Sequence, residues 1–167
     1  MLRSVRWKRA SGSLLAALAL GLIAAPSPAQ VPETPPAGCT GPASQTWLSV
    51  TIEDVRSGSG LIALTLYADD SSRFLVKRGS LYVTRVPAAA GATQACIFLP
   101  QPGVYALAIY HDEDGNQTFK RTALGLPAEG FGFSNNPATL AGLPSFRAVR
   151  MNVPRAGLST RIRIKYP

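Results

Sequence analysis

Charge, histidine and cysteine are all scarce in this chain. Only 16% of its 167 residues are charged, one is histidine and two are cysteine. With a single histidine, any Ser-His-Asp scheme rests on His111 alone, and Ser134 lacks the second glycine of a G-x-S-x-G elbow. The two cysteines, Cys39 and Cys96, lie too far apart for a CxxC redox or metal motif. The apolar run Leu14–Ala25 falls short of the ~20 residues a membrane-spanning helix requires.

What the chain does have is glycine (15), proline (14) and short alternating segments. Its formal charge of +8 suggests a polyanionic partner only until the cations are located. Arg3, Arg6, Lys8 and Arg9 precede the apolar run, and Ser27-Pro28-Ala29 follows it with the small residues of an export cleavage site. Residues 1–29 therefore read as a signal peptide, with the mature chain starting at Gln30 in the periplasm or outside the cell. Removing those four cations from +8 leaves +4, so no nucleic-acid partner is expected and no transmembrane helix remains.

Residues 30–45, rich in Pro and Gly, read as an N-terminal arm, and 46–167 as one domain. In an oxidising compartment Cys39 and Cys96 most simply form a disulfide pinning the arm to the domain; two free thiols are the alternative. Along the domain, Leu48, Val50 and Ile52 alternate with polar residues, as do Ile62, Leu64 and Leu66, then Tyr105, Leu107 and Ile109, and finally Ile162, Ile164 and Tyr166. Phe74–Lys77, Leu81–Val86 and Phe146–Val153 read as further strands. At Leu99–Tyr105 a Pro/Gly corner delivers a tyrosine that reads either as one whose hydroxyl bonds back upstream or as an ordinary half-buried aromatic. Seven to eight short strands without a convincing helix predict an all-β, antiparallel sandwich, immunoglobulin-like or transthyretin-like. The outward row Arg161, Arg163 and Lys165 reads as a solvated face or as a polyanion-binding one.

Most of the polar chemistry sits in His111–Asn136. Asp112, Asp114 and Asn116 place oxygen ligands at alternate positions, as calcium loops do, but Gln117 and Ala123 stand where an EF-hand requires Gly and Glu. The same residues also suit an acidic turn whose side chains bond local backbone amides. Calcium is thus the only cofactor the sequence suggests, and the expectation is none. Farther on, Phe131 and Phe133 between glycines read either as a ligand-facing platform for a sugar or lipid or as caps on the open end of the sandwich.

Several of these segments together, Pro102–Ala106, His111–Asn116, Leu124–Asn135 and Pro144–Phe146, resemble the bacterial family catalogued as domain of unknown function 2141. The resemblance implies an exported or envelope-associated β-domain and brings no assigned activity. Where such proteins commonly carry a further acid after the Asn, this chain has Phe119-Lys120-Arg121.

Two functional classes follow. One is a non-enzymatic binding or accessory module that meets an envelope ligand or protein through loops 111–136, using His111, Asp112, Asp114, Asn116, Glu129, Phe131 and Phe133. The other is a metal-dependent or hydrolytic enzyme centred on His111, Asp112 and Glu129, which requires those three in one concave pocket.

Overall fold

A computed structural model describes residues 34–139 and 143–167. The expected signal peptide and residues 30–33 of the arm lie outside the described residues.

The alternating segments become strands because one face of each has an apolar layer to bury. β1 (Thr46–Val55), β2 (Leu61–Ala68), β3 (Tyr82–Pro87), β4 (Gly91–Leu99), β5 (Gly103–Asp112), β6 (Phe131–Phe133), β7 (Arg150–Val153) and β8 (Leu158–Arg163) form two sheets, and one helical turn, α1 (Phe146–Val149), precedes β7. The first sheet runs β4-β1-β8; the second runs β3-β2-β5-β6, with β7 pairing farther along β5. Between them lies one core that includes Leu48, Val50, Ile52, Ile62, Leu64, Leu66, Ile97, Leu107, Ile109 and Ile162. The molecule is an all-β sandwich.

One pairing departs from the antiparallel expectation. β8 lies parallel to β1, with Leu48 opposite Leu158 and Glu53 opposite Arg163. Side-chain alternation reports which face is buried and carries no information about strand direction, so this crossover was not readable.

Two predicted strands change form. Phe74–Lys77 is a turn, with Leu75 and Arg78 at positive φ. It folds back so that Phe74 and Leu75 pack over the outer face of the second sheet with Tyr67 and Phe133. Phe146–Val149 coils into α1 before β7 begins, and it places Phe146 and Val149 in that same small outer cluster. In both cases apolar residues pack by covering a sheet instead of joining one, half-buried at Phe74, Leu75 and Phe146 and fully buried at Val149.

At the corner before β5 the upstream bond forms: the Tyr105 hydroxyl donates to the Gln101 carbonyl at 2.7 Å. The Cys39–Cys96 disulfide is also present and ties the arm to β4. Of the cationic row, Arg161 and Arg163 both pair with Glu53, at 3.7 and 3.3 Å, on an exposed face.

Candidate functional site

β5 distributes the polar residues of its end by simple alternation. Its inward positions are Tyr105, Leu107 and Ile109, and the next is His111; its outward positions are Ala106, Ala108 and Tyr110, and the next is Asp112. His111 and Asp112 therefore leave the strand on opposite faces.

His111 is fully buried. Its Nε2 lies 2.8 Å from the Ser59 carbonyl, which can only accept, so Nε2 carries the proton. Nδ1 is left to accept from the Tyr166 hydroxyl at 2.7 Å. That hydroxyl in turn accepts from the Arg56 backbone N–H at 3.0 Å. The Arg56 guanidinium lies over the Tyr166 ring and makes a two-point ion pair with Glu113. Hydrogen bonding from Arg56 holds the Glu113 carboxyl below its ordinary range. Every polar atom of the histidine ring is thus occupied in joining the β1–β2 turn to the segment that follows β8.

On the other face, Asp112 is buried beneath its own loop and accepts from the N–H groups of Asn116 (3.1 Å) and Gln117 (2.7 Å). Asp114 accepts from the Asn116 amide at 3.1 Å and pairs with Lys120, which draws its carboxyl downward. Glu129 joins from the returning part of the loop, just before β6. It is 5% exposed and accepts the Lys120 backbone N–H at 3.0 Å. Burial, reinforced by Asp112 and Asp114, pushes the Glu129 carboxyl above its ordinary range. One carboxylate oxygen from each of Asp112, Asp114 and Glu129 lies within 4.8 Å of the others. Asn116 contributes its side chain to local turns, with Oδ1 accepting from the Thr118 N–H at 2.8 Å.

The raised Glu129 pKa has a definite thermodynamic sign. The folded protein keeps the proton to higher pH than the unfolded chain, so this group's stabilising contribution is complete at acid pH and disappears as pH rises through the folded value. Glu129→Gln keeps an oxygen for the Lys120 N–H and removes the titration. Melting temperatures of wild type and Glu129→Gln between pH 4 and 8 should coincide most closely at the acid end, and the variant should gain on wild type toward neutrality. A constant offset across that range would contradict the assignment.

Beside the carboxylates, the outward face of β5 becomes apolar. Ala108 stands opposite Phe133 and Tyr110 opposite Phe131, so both phenylalanines face outward, while Gly132 between them faces the other sheet. They do not cap the open end of the sandwich. Together with Tyr67, Leu75, Phe119 and Leu143 they line a groove of about 190 Å³ on the outside of the second sheet, with Arg121 at its rim over the Phe119 ring.

The glycines of this stretch explain how β6 reaches its position. A Cβ on Gly132 would lie 2.5 Å from the Arg163 carbonyl, and one on Gly130 would collide with Tyr166. Their absence lets Phe131 exchange two backbone hydrogen bonds with Lys165, at 2.9 and 2.8 Å, which joins the edges of the two sheets. Ser134, Asn135 and Asn136 then fasten the end of β6. The Ser134 hydroxyl accepts from the Leu107 N–H and donates to the Val149 carbonyl. The Asn135 amide donates to the Arg150 carbonyl, and Asn136 both donates to the Arg161 carbonyl and accepts from the Arg163 N–H. Ser134 entered the sequence reading only as a failed nucleophile, and Asn135 and Asn136 were not read as site residues; consecutive asparagines, which tolerate the left-handed backbone that both adopt here, are the signal that marks this end.

The sequence-selected residues thus separate into three groups: His111 inside the sandwich, a carboxylate cluster of Asp112, Asp114 and Glu129 with Asn116 at its border, and a groove containing Phe131 and Phe133. The three residues an enzyme would need do not share a cavity, since His111 lies across the sheet from Asp112 and Glu129.

Fold and site together define a small β-sandwich that displays an aromatic groove next to a carboxylate cluster. The profile described as "Uncharacterized protein conserved in bacteria (DUF2141)" matches residues 50–161, and the chain belongs to that family. Neither the curated proteins nor the solved structures contain a match to it.

Proposed function

We propose that this protein is an exported, non-catalytic binding module that holds the apolar part of an amphiphilic envelope ligand in the groove between Tyr67, Phe119, Phe131 and Leu143. The observation that carries this reading is the groove itself, a concave apolar surface on a folded scaffold with one cation at its rim. Phe131 and Tyr110 supply ring faces, and Arg121 stands where a ligand's anionic head would emerge. The engaged ring nitrogens of His111 support a non-catalytic role, and the disulfide supports an oxidising compartment. Among the described residues no helix is long and apolar enough to cross a membrane.

The test is an NMR titration with octanoate and with octyl glucoside. Both should shift the amides of Tyr110 and Phe131. Phe131→Ala should weaken both ligands roughly tenfold, as loss of one buried ring contact predicts, and Arg121→Gln should weaken octanoate alone. Shifts confined to other surfaces, or none with either probe, would rule the groove out.

The convergence of Asp112, Asp114 and Glu129 supports a second reading, a divalent cation held by the carboxylates. Against it stands Lys120, whose ammonium already pairs with Asp114, and the backbone amides that already occupy Asp112. We therefore expect millimolar calcium to leave the melting temperature where chelator leaves it. Binding at a hundredfold excess over Kd would add about 2.7 kcal/mol, so a calcium-dependent rise abolished by Asp112→Ala would establish the metal site instead.

A further inference from the structure

The arm does more than lead into β1. β4 is the outer strand of its sheet, and its outward backbone groups belong to even-numbered residues, because those of Cys96 and Phe98 are the ones the arm reaches. Thr40 donates its N–H to the Cys96 carbonyl and accepts the Phe98 N–H, each at 2.9 Å, forming a one-residue parallel bridge opposite Ile97. The Thr40 hydroxyl adds a bond to the Cys96 carbonyl at 3.2 Å, and the Phe98 carbonyl accepts from the Tyr82 hydroxyl. Gly41 fits against the Tyr82 ring, where a Cβ would lie 2.7 Å from Cζ. Each edge group from the Cys96 carbonyl to the Phe98 carbonyl is thereby satisfied by the arm or by Tyr82. Ala92 and Gln94 continue the same edge beyond the arm.

A one-residue bridge is a weak attachment, and two backbone bonds do not hold a Pro/Gly-rich segment in place against its conformational entropy. The Cys39–Cys96 bond, immediately before Thr40, supplies what the bridge lacks. Cys96-Ile97-Phe98-Leu99 is a β-prone apolar run, the kind of edge that folded proteins cover to prevent strand addition.

We propose that Cys39–Thr40 is a disulfide-latched cap on a strand-accepting edge of β4, and that opening the latch turns this edge into a homodimer interface. The occupant is β4 of a second copy. The edge has already accepted an extended segment, Thr40, in ladder geometry, and two copies of one edge strand pair antiparallel about a twofold axis through identical surfaces. Opening requires an external dithiol: it is oxidised to its own disulfide as the Cys39–Cys96 bond breaks, and two electrons and two protons pass to the cysteines as two thiols.

The experiment is light scattering with size-exclusion chromatography on the folded, oxidised chain, on the same chain after dithiothreitol, and on Cys39→Ser/Cys96→Ser. The oxidised chain should be a monomer, and the other two should double in mass. Gln94→Pro, which removes an outward N–H where an edge strand tolerates proline, should return the reduced chain to monomer. If the double variant does not fold, as circular dichroism would show, Thr40→Pro with the disulfide intact takes its place and should show partial dimerisation. A reduced chain that stays monomeric overturns the proposal. So does a dimer that forms equally in the oxidised state or survives Gln94→Pro.

Discussion

Leu107→Asp is expected to lower stability by about 3–5 kcal/mol, enough to unfold most of a domain of ordinary stability at 37 °C. Leu107 is fully buried at the centre of β5, opposite Leu66 of β2. Both of its backbone groups are held by Ser134, the N–H donating to the Ser134 hydroxyl and the carbonyl accepting the Ser134 N–H at 2.8 Å. A carboxyl at this position has no route to solvent and no donor prepared for it, so it is either buried as an unpaired charge or protonated at comparable cost. The check is chemical denaturation of wild type and variant. A midpoint near wild type would mean that the face containing Tyr105, Leu107 and Ile109 is not the buried one.

Gly132→Ala should come second, at about 1–3 kcal/mol or somewhat more, although it adds only one methyl group. The added Cβ would meet the Arg163 carbonyl at 2.5 Å and Ile162 Cγ2 at 2.9 Å. The carbonyl belongs to β8, which cannot yield without leaving β1. β6 must therefore withdraw, losing its hydrogen bonds to Lys165 and displacing Phe131 and Phe133 from the groove. Gly115→Ala is the control. Gly115 has φ +69 but open space around its Cβ position, so only the backbone preference of about 1 kcal/mol is at stake. Thermal melts of both variants, with binding of octyl glucoside as a second readout, distinguish a rigid contact from a mere loss of glycine flexibility. Equal effects would show that the close approach of β6 to β8 is not what requires Gly132.

The sandwich was legible where burial on one face imposes a period of two, as in β1, β2, β5 and β8. The tyrosine corner and the disulfide were legible from local chemistry. Strand direction was not, because β1 and β8 alternate identically whether they run parallel or antiparallel. Phe74-Leu75 misled because apolar residues that cover a sheet have the same composition as those within one. At the site, the alternation that places Leu107 and Ile109 inward already places His111 inward and Asp112 outward, so their separation was available and went unused. The approach of Glu129 to Asp112 depends on how the loop returns, which no local pattern encodes. The run Gly130–Asn136 combines two demands: its glycines, Ser134, Asn135 and Asn136 join the sheets, and Phe131 and Phe133 face the groove.

The parallel pairing of β1 and β8 has a mechanical consequence. The first and last strands of the domain lie side by side over six residue pairs, Leu48–Glu53 against Leu158–Arg163. Tension applied between Thr46 and Arg163 pulls these strands past each other lengthwise, so the hydrogen bonds joining them share the load instead of opening one at a time. A pull on the arm also reaches β4, because the Cys39–Cys96 bond ties the two together, and a pull from beyond β8 first meets the Lys165–Phe131 hydrogen bonds, so the load spreads from this pair of strands to β4 and β6.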